Sequence, residues 1–454
     1  MMSHNSDGCL NQMNNSGNTV DPLSRGESKN RHSQIDSAGA TSQHRSNENG
    51  MEGKGDEKER LHLLPKRYLS TVTCYIYSNT LRHWIHRLIC VIALQRLHKM
   101  DNNLHLLIPK MARLALDLPE LIQKPIPLLR QQQNLAITMS QQQISCLLAN
   151  AFFCTFPHRN NTKPGSEYAN YPTINFSSFV FFGIAYLLTR PALKAEKLRA
   201  IFHYFNTVTN NEDPAKPDGL VTFERISIPT SQLPKWKLFS EVPLRNLHIS
   251  PEGSIEHEGT GMLQVEFASN YIGGGVLGSG LVQEEILFFM SPELIVARLF
   301  TEKLADNECL KITGPQMYSF TSGYSKTFSW VGPYNDCMKR DNWKRRYRQI
   351  VAIDALDFKN PKDQYTKENI KRELNKAFVG FHGDVKTAIA TGNWGCGAFN
   401  GDPKLKALIQ LMAAAVAGRD MAYFTAGNKE LAKEIQRMHE ILTINKVTVG
   451  KYIH

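Results

Sequence analysis

Glu284 and Glu285 are adjacent carboxylates set directly behind a glycine-rich stretch. Residues 262–290 read Met-Leu-Gln-Val-Glu-Phe-Ala-Ser-Asn-Tyr-Ile-Gly-Gly-Gly-Val-Leu-Gly-Ser-Gly-Leu-Val-Gln-Glu-Glu-Ile-Leu-Phe-Phe-Met. Leu263, Val265 and Phe267 alternate with Gln264 and Glu266, the two-residue period of a half-buried strand. Gly273, Gly274 and Gly275 follow, then Gly278 and Gly280, and a backbone without Cβ atoms takes positive φ and approaches a ligand closely. Gln283, Glu284 and Glu285 open the apolar run Ile286 to Met290, which reads as a helix. N–H groups in such a loop, or at the helix start, form an anion site. A phosphate repels two glutamates, so they need a chemical reason to be there. A carboxylic acid of raised pKa can hand a proton to a leaving oxygen.

Three readings fit this stretch. The first is a capped helix with acids near the positive end of its dipole. The second takes Gly273, Gly275 and Gly278 as the G-x-G-x-x-G of a nicotinamide oxidoreductase, although Ser269 to Ile272 separate them from the strand. The third is a glycosidic hydrolase for a diphosphate-bearing sugar, in which the loop holds phosphate and a glutamate supplies the proton. A second loop, Gly392-Asn-Trp-Gly-Cys-Gly-Ala-Phe-Asn-Gly-Asp, follows the strand candidate Thr387–Thr391 and precedes a helix. It is another cradle of backbone donors. A glycine-rich strand–helix turn is common by itself; two of them with Gln-Glu-Glu are not.

Gly-Gly-Gly, seven residues and then Gln-Glu-Glu resembles the motif of poly(ADP-ribose) glycohydrolases. The likeness runs from about Leu107 to about Gly450. It includes Ser-Pro-Glu-Leu-Ile-Val-Ala-Arg-Leu-Phe at 291–300, Ile-Val-Ala-Ile-Asp-Ala-Leu at 350–356 and Gly-Asn-Trp-Gly-Cys-Gly-Ala-Phe at 392–399. The resemblance implies a macrodomain-like α/β fold with a mixed sheet and flanking helices, preceded by an all-helical accessory domain. It implies cleavage of ribose–ribose bonds in poly(ADP-ribose) carried on modified proteins, with no metal and no cofactor. By the same resemblance Glu285 is the general acid and base, and Glu284 holds a ribose hydroxyl. Gln283 bonds the substrate, and Ile255 and Glu256 contact the adenine. Asn393, Gly395, Cys396, Gly397 and Ala398 line the diphosphate, Phe399 packs on the distal ribose, and Tyr324 closes over the substrate. Glu266, Asn270, Gly273, Gly274 and Gly275 complete the substrate-binding set. Three positions depart from the family: Glu266 replaces Asp, Ser269 replaces Asn with Asn270 one place on, and Ala426 stands where a stacking Phe is expected. They motivate an alternative, a catalytically weak reader of ADP-ribose.

The elements that must position these residues follow from pattern. Strands are expected at Leu220–Ile228, Leu247–Ile249, Leu263–Ala268, Leu310–Thr313, Gln349–Ala355, Phe378–His382, Thr387–Thr391 and Ala422–Thr425. Helices are expected at Pro292–Leu304, Lys367–Ala377, Pro403–Ala417 and Lys429–Leu442. Alternation of this kind builds a mostly parallel or mixed sheet with helices on both faces, and ligands bind beyond the carboxyl ends of its strands. Before it, Leu107, Met111, Leu114 and Leu118 recur at helical spacing. Ser140 with Gln143 predicts a capped start for a buried helix Ile144–Phe153, and a further helix is expected at Ala195–Phe205. The domains are therefore a disordered tail at 1–60, rich in Ser, Asn, Gly and charge, a helical stretch of open role at 61–105, the accessory domain at 106–218 and the macrodomain-like domain at 219–454. Residues 177–192 form an unexpected apolar insert.

The 454 residues carry a formal net charge of +11 and a sequence pI near 9.1, which suits a polyanionic partner. A scaffold whose basic tail binds nucleic acid is the remaining alternative; the reading preferred here requires no direct nucleic-acid contact. Eight cysteines form no C-x-x-C pair and no zinc spacing, so free thiols in a reducing compartment are expected. No signal peptide stands at the start, and Arg82, His83, His86 and Arg87 interrupt the most apolar stretch near it, so no membrane span is expected. The expectation is a monomer in the nucleus, the cytoplasm or both.

Overall fold

The computed structural model describes residues 103–453, except 158, 160, 162, 178–190, 211, 213–216 and 385. The expected tail at 1–60, nearly all of 61–105 and most of the insert 177–192 lie outside the described residues. The described chain opens with α1 (Leu104–Leu116) and the one-turn α2 (Leu118–Leu121). Leu104, Leu107, Ile108, Met111 and Ala115 form the buried stripe of α1, an amphipathic helical spacing. β1 (Leu135–Ser140) leads into α3 (Gln141–Phe152). The Ser140 hydroxyl accepts from the Gln143 N–H and the Gln143 side chain accepts from the Ser140 N–H, both at 3.0 Å, which closes the capping box. α4 (Pro191–Val208) completes this segment.

β2 (Leu220–Ser227), β3 (Leu247–Ser250), the one-turn α5 (Ile255–Glu258) and β4 (Leu263–Ala268) follow. The glycine loop then enters α6 (Gln283–Met290), a 3-10 turn at Pro292–Val296 and α7 (Ala297–Phe300). Next come β5 (Glu308–Thr313), a hairpin of β6 (Ser319–Ser322) and β7 (Ser329–Pro333), β8 (Gln349–Asp354) and α8 (Lys367–Phe381). β9 (Ile389–Gly392), α9 (Pro403–Ala417), β10 (Met421–Phe424) and α10 (Lys429–Ile444) end the series.

Three expectations need correction. The segment 106–218 is not all helical: β1 pairs antiparallel with β2, Leu135 opposite Arg225, and joins the main sheet. Only Ile137 and Met139 of that strand are buried, too brief an alternation to stand out in the sequence. Phe378–His382 is not a strand. Phe378, Val379 and Phe381 are the last buried turn of α8, and Gly380 lets the helix approach the sheet, where a Cβ would sit 2.7 Å from Ile353 Cγ2. A short apolar run cannot be told from a strand by periodicity alone. The single helix expected at Pro292–Leu304 is the 3-10 turn plus α7, and from Thr301 the chain runs extended beside Leu129.

Eight strands form one mixed sheet in the order β1-β2-β5-β8-β4-β9-β10-β3. β8, β4, β9, β10 and β3 are parallel, whereas β1, β2 and β5 run antiparallel to their neighbours. Both faces are covered, so β8 reads as a continuous apolar run. Ile350 and Ala352 point into one core with the helical segment and α6; Val351 and Ile353 point into the other with α8 and α9. The first core runs from Leu104 to Ala352, so the helical segment and the sheet share it.

The carboxyl ends of β8 and β9 rest on a buried ion network. Asp354 takes Arg372 at 2.5 Å and Lys376 at 2.6 Å; Glu373 takes Arg372 at 2.9 Å and also pairs with Lys406. Burial works to raise the Asp354 pKa, but Lys376 and Arg372 outweigh it and hold the carboxyl below its usual range. Glu373 also accepts from the Leu356 N–H at 2.9 Å, and the Lys406 ammonium lies 4.2 Å from the Trp394 ring centre.

Glu373→Ala strands the buried Lys406 ammonium and the Leu356 N–H together. Breaking a buried pair in this way costs about 3–5 kcal/mol, which urea unfolding will read. Glu430→Ala, which removes an exposed pair with Lys433, should stay within about 0.5 kcal/mol of the parent.

Candidate active site

A cavity of about 810 Å³ opens at the carboxyl ends of the parallel strands, walled by Phe267, Ala268, Ala355, Gly392 and Phe424. Of the residues predicted to bind substrate, Ile255, Glu256, Gln283, Tyr324, Asn393, Gly395, Cys396, Gly397, Ala398 and Phe399 line it. Glu266, Asn270, Gly273, Gly274, Gly275, Glu284 and Glu285 are not among its lining residues, whereas Ala268, Val282 and Gln283, close to them in sequence, are. The loops Pro251–Ser254 and Ala426–Asn428 also line it; of these the sequence reading singled out only Ala426, where a stacking Phe is expected.

Gln283 is fixed at both ends: its oxygen accepts from the Phe267 N–H at 2.9 Å and its amide donates to Glu256 Oε1 at 3.0 Å. Glu256 and Ile255 sit on α5, whose Ser254 cap accepts from the His257 N–H at 3.3 Å. Tyr324 stands at the hairpin tip, 53% exposed, and the adjacent Ser325 N–H donates to Leu281 O at 2.8 Å, fastening the hairpin to the glycine loop. Burial of part of the ring, with Glu256 nearby, pushes the phenol up to about 12, so it enters the site as a neutral hydroxyl.

The second loop lines the cavity from Gly392 to Phe399. Trp394 and Cys396 N–H groups are used within the turn, but those of Gly397 and Ala398 have no partner among the described residues. Gly395, at φ +74°, passes so close to Ala355 that a Cβ would sit 2.6 Å from the alanine's own. Burial pushes the Cys396 thiol up to about 12, so it is uncharged in the wall. α9 starts just beyond, with Pro403 in the wall and its positive dipole end toward the loop. No Lys or Arg is among the described lining residues, so an anion here meets backbone dipoles.

The first glycine loop works differently from the expectation that it holds phosphate. Its Gly273 and Gly275 N–H groups are turned onto glutamates, and those of Gly274, Val276, Gly278 and Gly280 donate to backbone carbonyls. Glu284 accepts from Ser269 at 2.9 Å and Gly273 at 2.6 Å; Glu285 accepts from Gly275 at 2.8 Å and from Val282 at 2.9 Å. The glycines are there for room: a Cβ at Gly274 would lie 2.5 Å from Glu284 Oε2, and one at Gly280 would lie 2.5 Å from Glu285 Oε1. Glu284 is thus a loop anchor with both oxygens engaged, in place of a free carboxylate over a sugar hydroxyl. Asn270 holds the chain through its backbone, where its carbonyl accepts from the Leu304 N–H at 2.8 Å.

Glu266 lies fully buried next to this pair. Neither of its oxygens accepts from an N–H or hydroxyl; its neighbour is the Glu284 carboxyl, with which it can share a proton. Burial, with the Glu285 charge, raises Glu266 to about 8. Burial and the charges of Glu266 and Glu285 also raise Glu284 well above an ordinary carboxyl, against the pull of the Ser269 and Gly273 N–H groups. Two buried cations face the cluster. Arg298 on α7 donates to Ile272 O at 2.8 Å and Gly274 O at 3.1 Å; burial lowers its pKa to about 10, while Glu284 and Glu285 pull the other way. Lys197 on α4 donates to Gly278 O at 3.0 Å and Gly280 O at 2.7 Å. Sequence reasoning gave neither cation a role. Arg298 stood in a conspicuous run at 291–300, but nothing around Lys197 marked it.

Comparisons with known proteins find both family models and relatives. The family model described as poly (ADP-ribose) glycohydrolase, macro domain fold, matches residues 233–433, and that family's helical-domain model matches residues 97–225. The chain is similar to the probable poly(ADP-ribose) glycohydrolase 2 of Arabidopsis thaliana, at 30% identity over 76% of this chain and 75% of that one. It is 32% identical to poly(ADP-ribose) glycohydrolase 1 of the same organism, over 76% of each chain. Poly(ADP-ribose) glycohydrolase 1 of Caenorhabditis elegans is 34% identical over 69% of this chain and 39% of that protein.

The buried cluster carries a pH signature. Burial holds the Glu266 carboxyl up at about 8 in the folded protein, against 4.5 for an ordinary glutamate. The folded state therefore binds the extra proton, a contribution complete below about pH 4.5 and lost as pH rises through about 8. Glu266→Gln, whose amide imitates the protonated acid, should flatten the fall in melting temperature between about pH 5 and 8. An unchanged slope in thermal melts would show that Glu266 is not the group retaining the proton.

Proposed function

This chain belongs to the poly(ADP-ribose) glycohydrolase family of glycosidic hydrolases, and from that premise we propose that Glu285 carries the proton in cleaving the ribose–ribose bonds of poly(ADP-ribose), releasing ADP-ribose. The observation that carries the assignment is the setting of Glu285. It is 5% exposed, its carboxylate accepts from the Gly275 and Val282 N–H groups, and Glu284 alone separates it in sequence from the lining residues Val282 and Gln283.

In this reading the Gly397 and Ala398 N–H groups and the start of α9 hold the diphosphate, and Phe399 packs against the distal ribose. Gln283 and Glu256 form a fixed polar wall, and Tyr324 covers the opposite side. Water attacks the anomeric carbon, the bond to the leaving 2′-oxygen breaks, and Glu285 gives that oxygen its proton and takes one from the water. Atoms balance, since one water is consumed per bond. Glu284 acts through the loop it anchors. Adjacent residues on a helix point in different directions, so Glu284 and Glu285 do not form the opposed pair of an ordinary two-carboxylate glycosidase.

Incubation with poly(ADP-ribose) and chromatography of the products should show free ADP-ribose. Glu285→Gln should lower turnover by about 10²-fold or more and leave the ADP-ribose Kd within about threefold on calorimetry. Undiminished turnover in that variant removes Glu285 as the acid. Intact polymer with retained ADP-ribose binding in the parent protein makes the chain a reader.

A further inference from the structure

Three buried carboxyl groups meet two buried cations behind the cavity, and one of those cations comes from outside the sheet domain. Lys197 lies on α4, is 2% exposed, and grips the carbonyls of Gly278 and Gly280, with its ammonium 5.3 Å from the Phe289 ring centre. Gly280 is the glycine packed against the Glu285 carboxylate. The charged groups facing Lys197 are Glu285 on α6 and Lys194 on its own helix. The carboxyl cluster is Glu266 on β4 with Glu284 and Glu285 on α6; Arg298 on α7 acts on Glu284 and Glu285, Lys197 acts on Glu285, and the buried Arg159 acts in turn on Arg298.

We propose that Lys197 is a positioning residue for the hydrolysis: it fixes the loop against Glu285, and its charge sets how many protons the carboxyl cluster carries. The inference rests on the function proposed above and extends it, because it gives the helical segment a part in the acid–base step. A net charge buried without a partner is costly. With Lys197 and Arg298 both charged, three carboxyls come to neutrality by keeping one proton. Without the Lys197 charge they must keep a second. Burial lowers the Lys197 amine to about 8, with Glu285 pulling it back up, so the parent protein itself approaches that change in mildly alkaline solution.

The test uses the full chain with Lys197→Met and Lys197→Arg, each shown folded by melting and by ADP-ribose binding. Turnover of poly(ADP-ribose) is measured against pH, and the glutamate carboxyls are titrated by carbon-13 NMR. For Lys197→Met, kcat should fall at least about tenfold with KM within about threefold. The highest carboxyl titration and the alkaline limb of kcat should both move up by at least about half a pH unit. Lys197→Arg should restore the titration and recover most of kcat. The proposal is overturned if Lys197→Met keeps parental kcat, or loses kcat while the carboxyls titrate as in the parent. If the methionine variant does not fold, Lys197→Gln, which keeps a donor but no charge, is judged by the same outcomes. Parental turnover decides the function separately, since the carboxyl titration reads Lys197 even in a protein that only binds.

Discussion

Three carboxyl groups buried side by side cannot all be ionised, and the architecture around Glu266, Glu284 and Glu285 is what makes the arrangement stable. Four main-chain N–H groups and two buried cations stand in for the water that would otherwise solvate them, and burial holds Glu266 toward its protonated form. Each replacement comes from a different element. The glycine loop supplies donors, α7 supplies Arg298, α4 supplies Lys197, and β4 supplies the third acid. The glycines are required because the loop wraps the carboxylates at distances that leave no space for a side chain. In a medium of low effective dielectric such a site is sensitive to the loss of any one partner.

The two glycine-rich loops divide the work. The first turns its donors inward and holds acids; the second leaves donors free beside the cavity and suits an anion. Keeping the two apart resolves the conflict between glutamates and phosphate in one loop. Fixed dipoles at the second loop need no reorganisation when charge arrives. That loop is rigid from beneath, where Trp394 donates to Ile353 O at 3.0 Å and stacks over the Lys406 ammonium of the buried ion network.

The helical segment and the sheet are joined by more than contact between two domains. β1 extends the sheet, α3 and α4 share a core with β5 and β8, and Lys197 reaches the loop that holds Glu285. A change in the helical segment therefore has a physical route to Glu285 through packed side chains and two hydrogen bonds.

Much of the architecture was legible in the chain. The alternation in 263–268, the glycines and Gln-Glu-Glu predicted strand, loop and helix, and seven of the eight expected strands of the later segment formed. Ser140 with Gln143 located a helix start because a capping box is made of neighbours in sequence. The residues of the second loop, with Gln283, Glu256 and Tyr324, were also readable, since each lies in a contiguous stretch with its own pattern. Strand β1 and the last turn of α8 were not, because short apolar segments take their form from what they pack against. Nor could the sequence show which way the loop N–H groups point, or that Glu266 lies under Glu284. The parts played by Lys197 and Arg298 were equally hidden. Those facts depend on contacts between residues far apart in the chain, as with Lys197 and Gly280, and are decided only when the helical segment, the sheet and α6 close on one another.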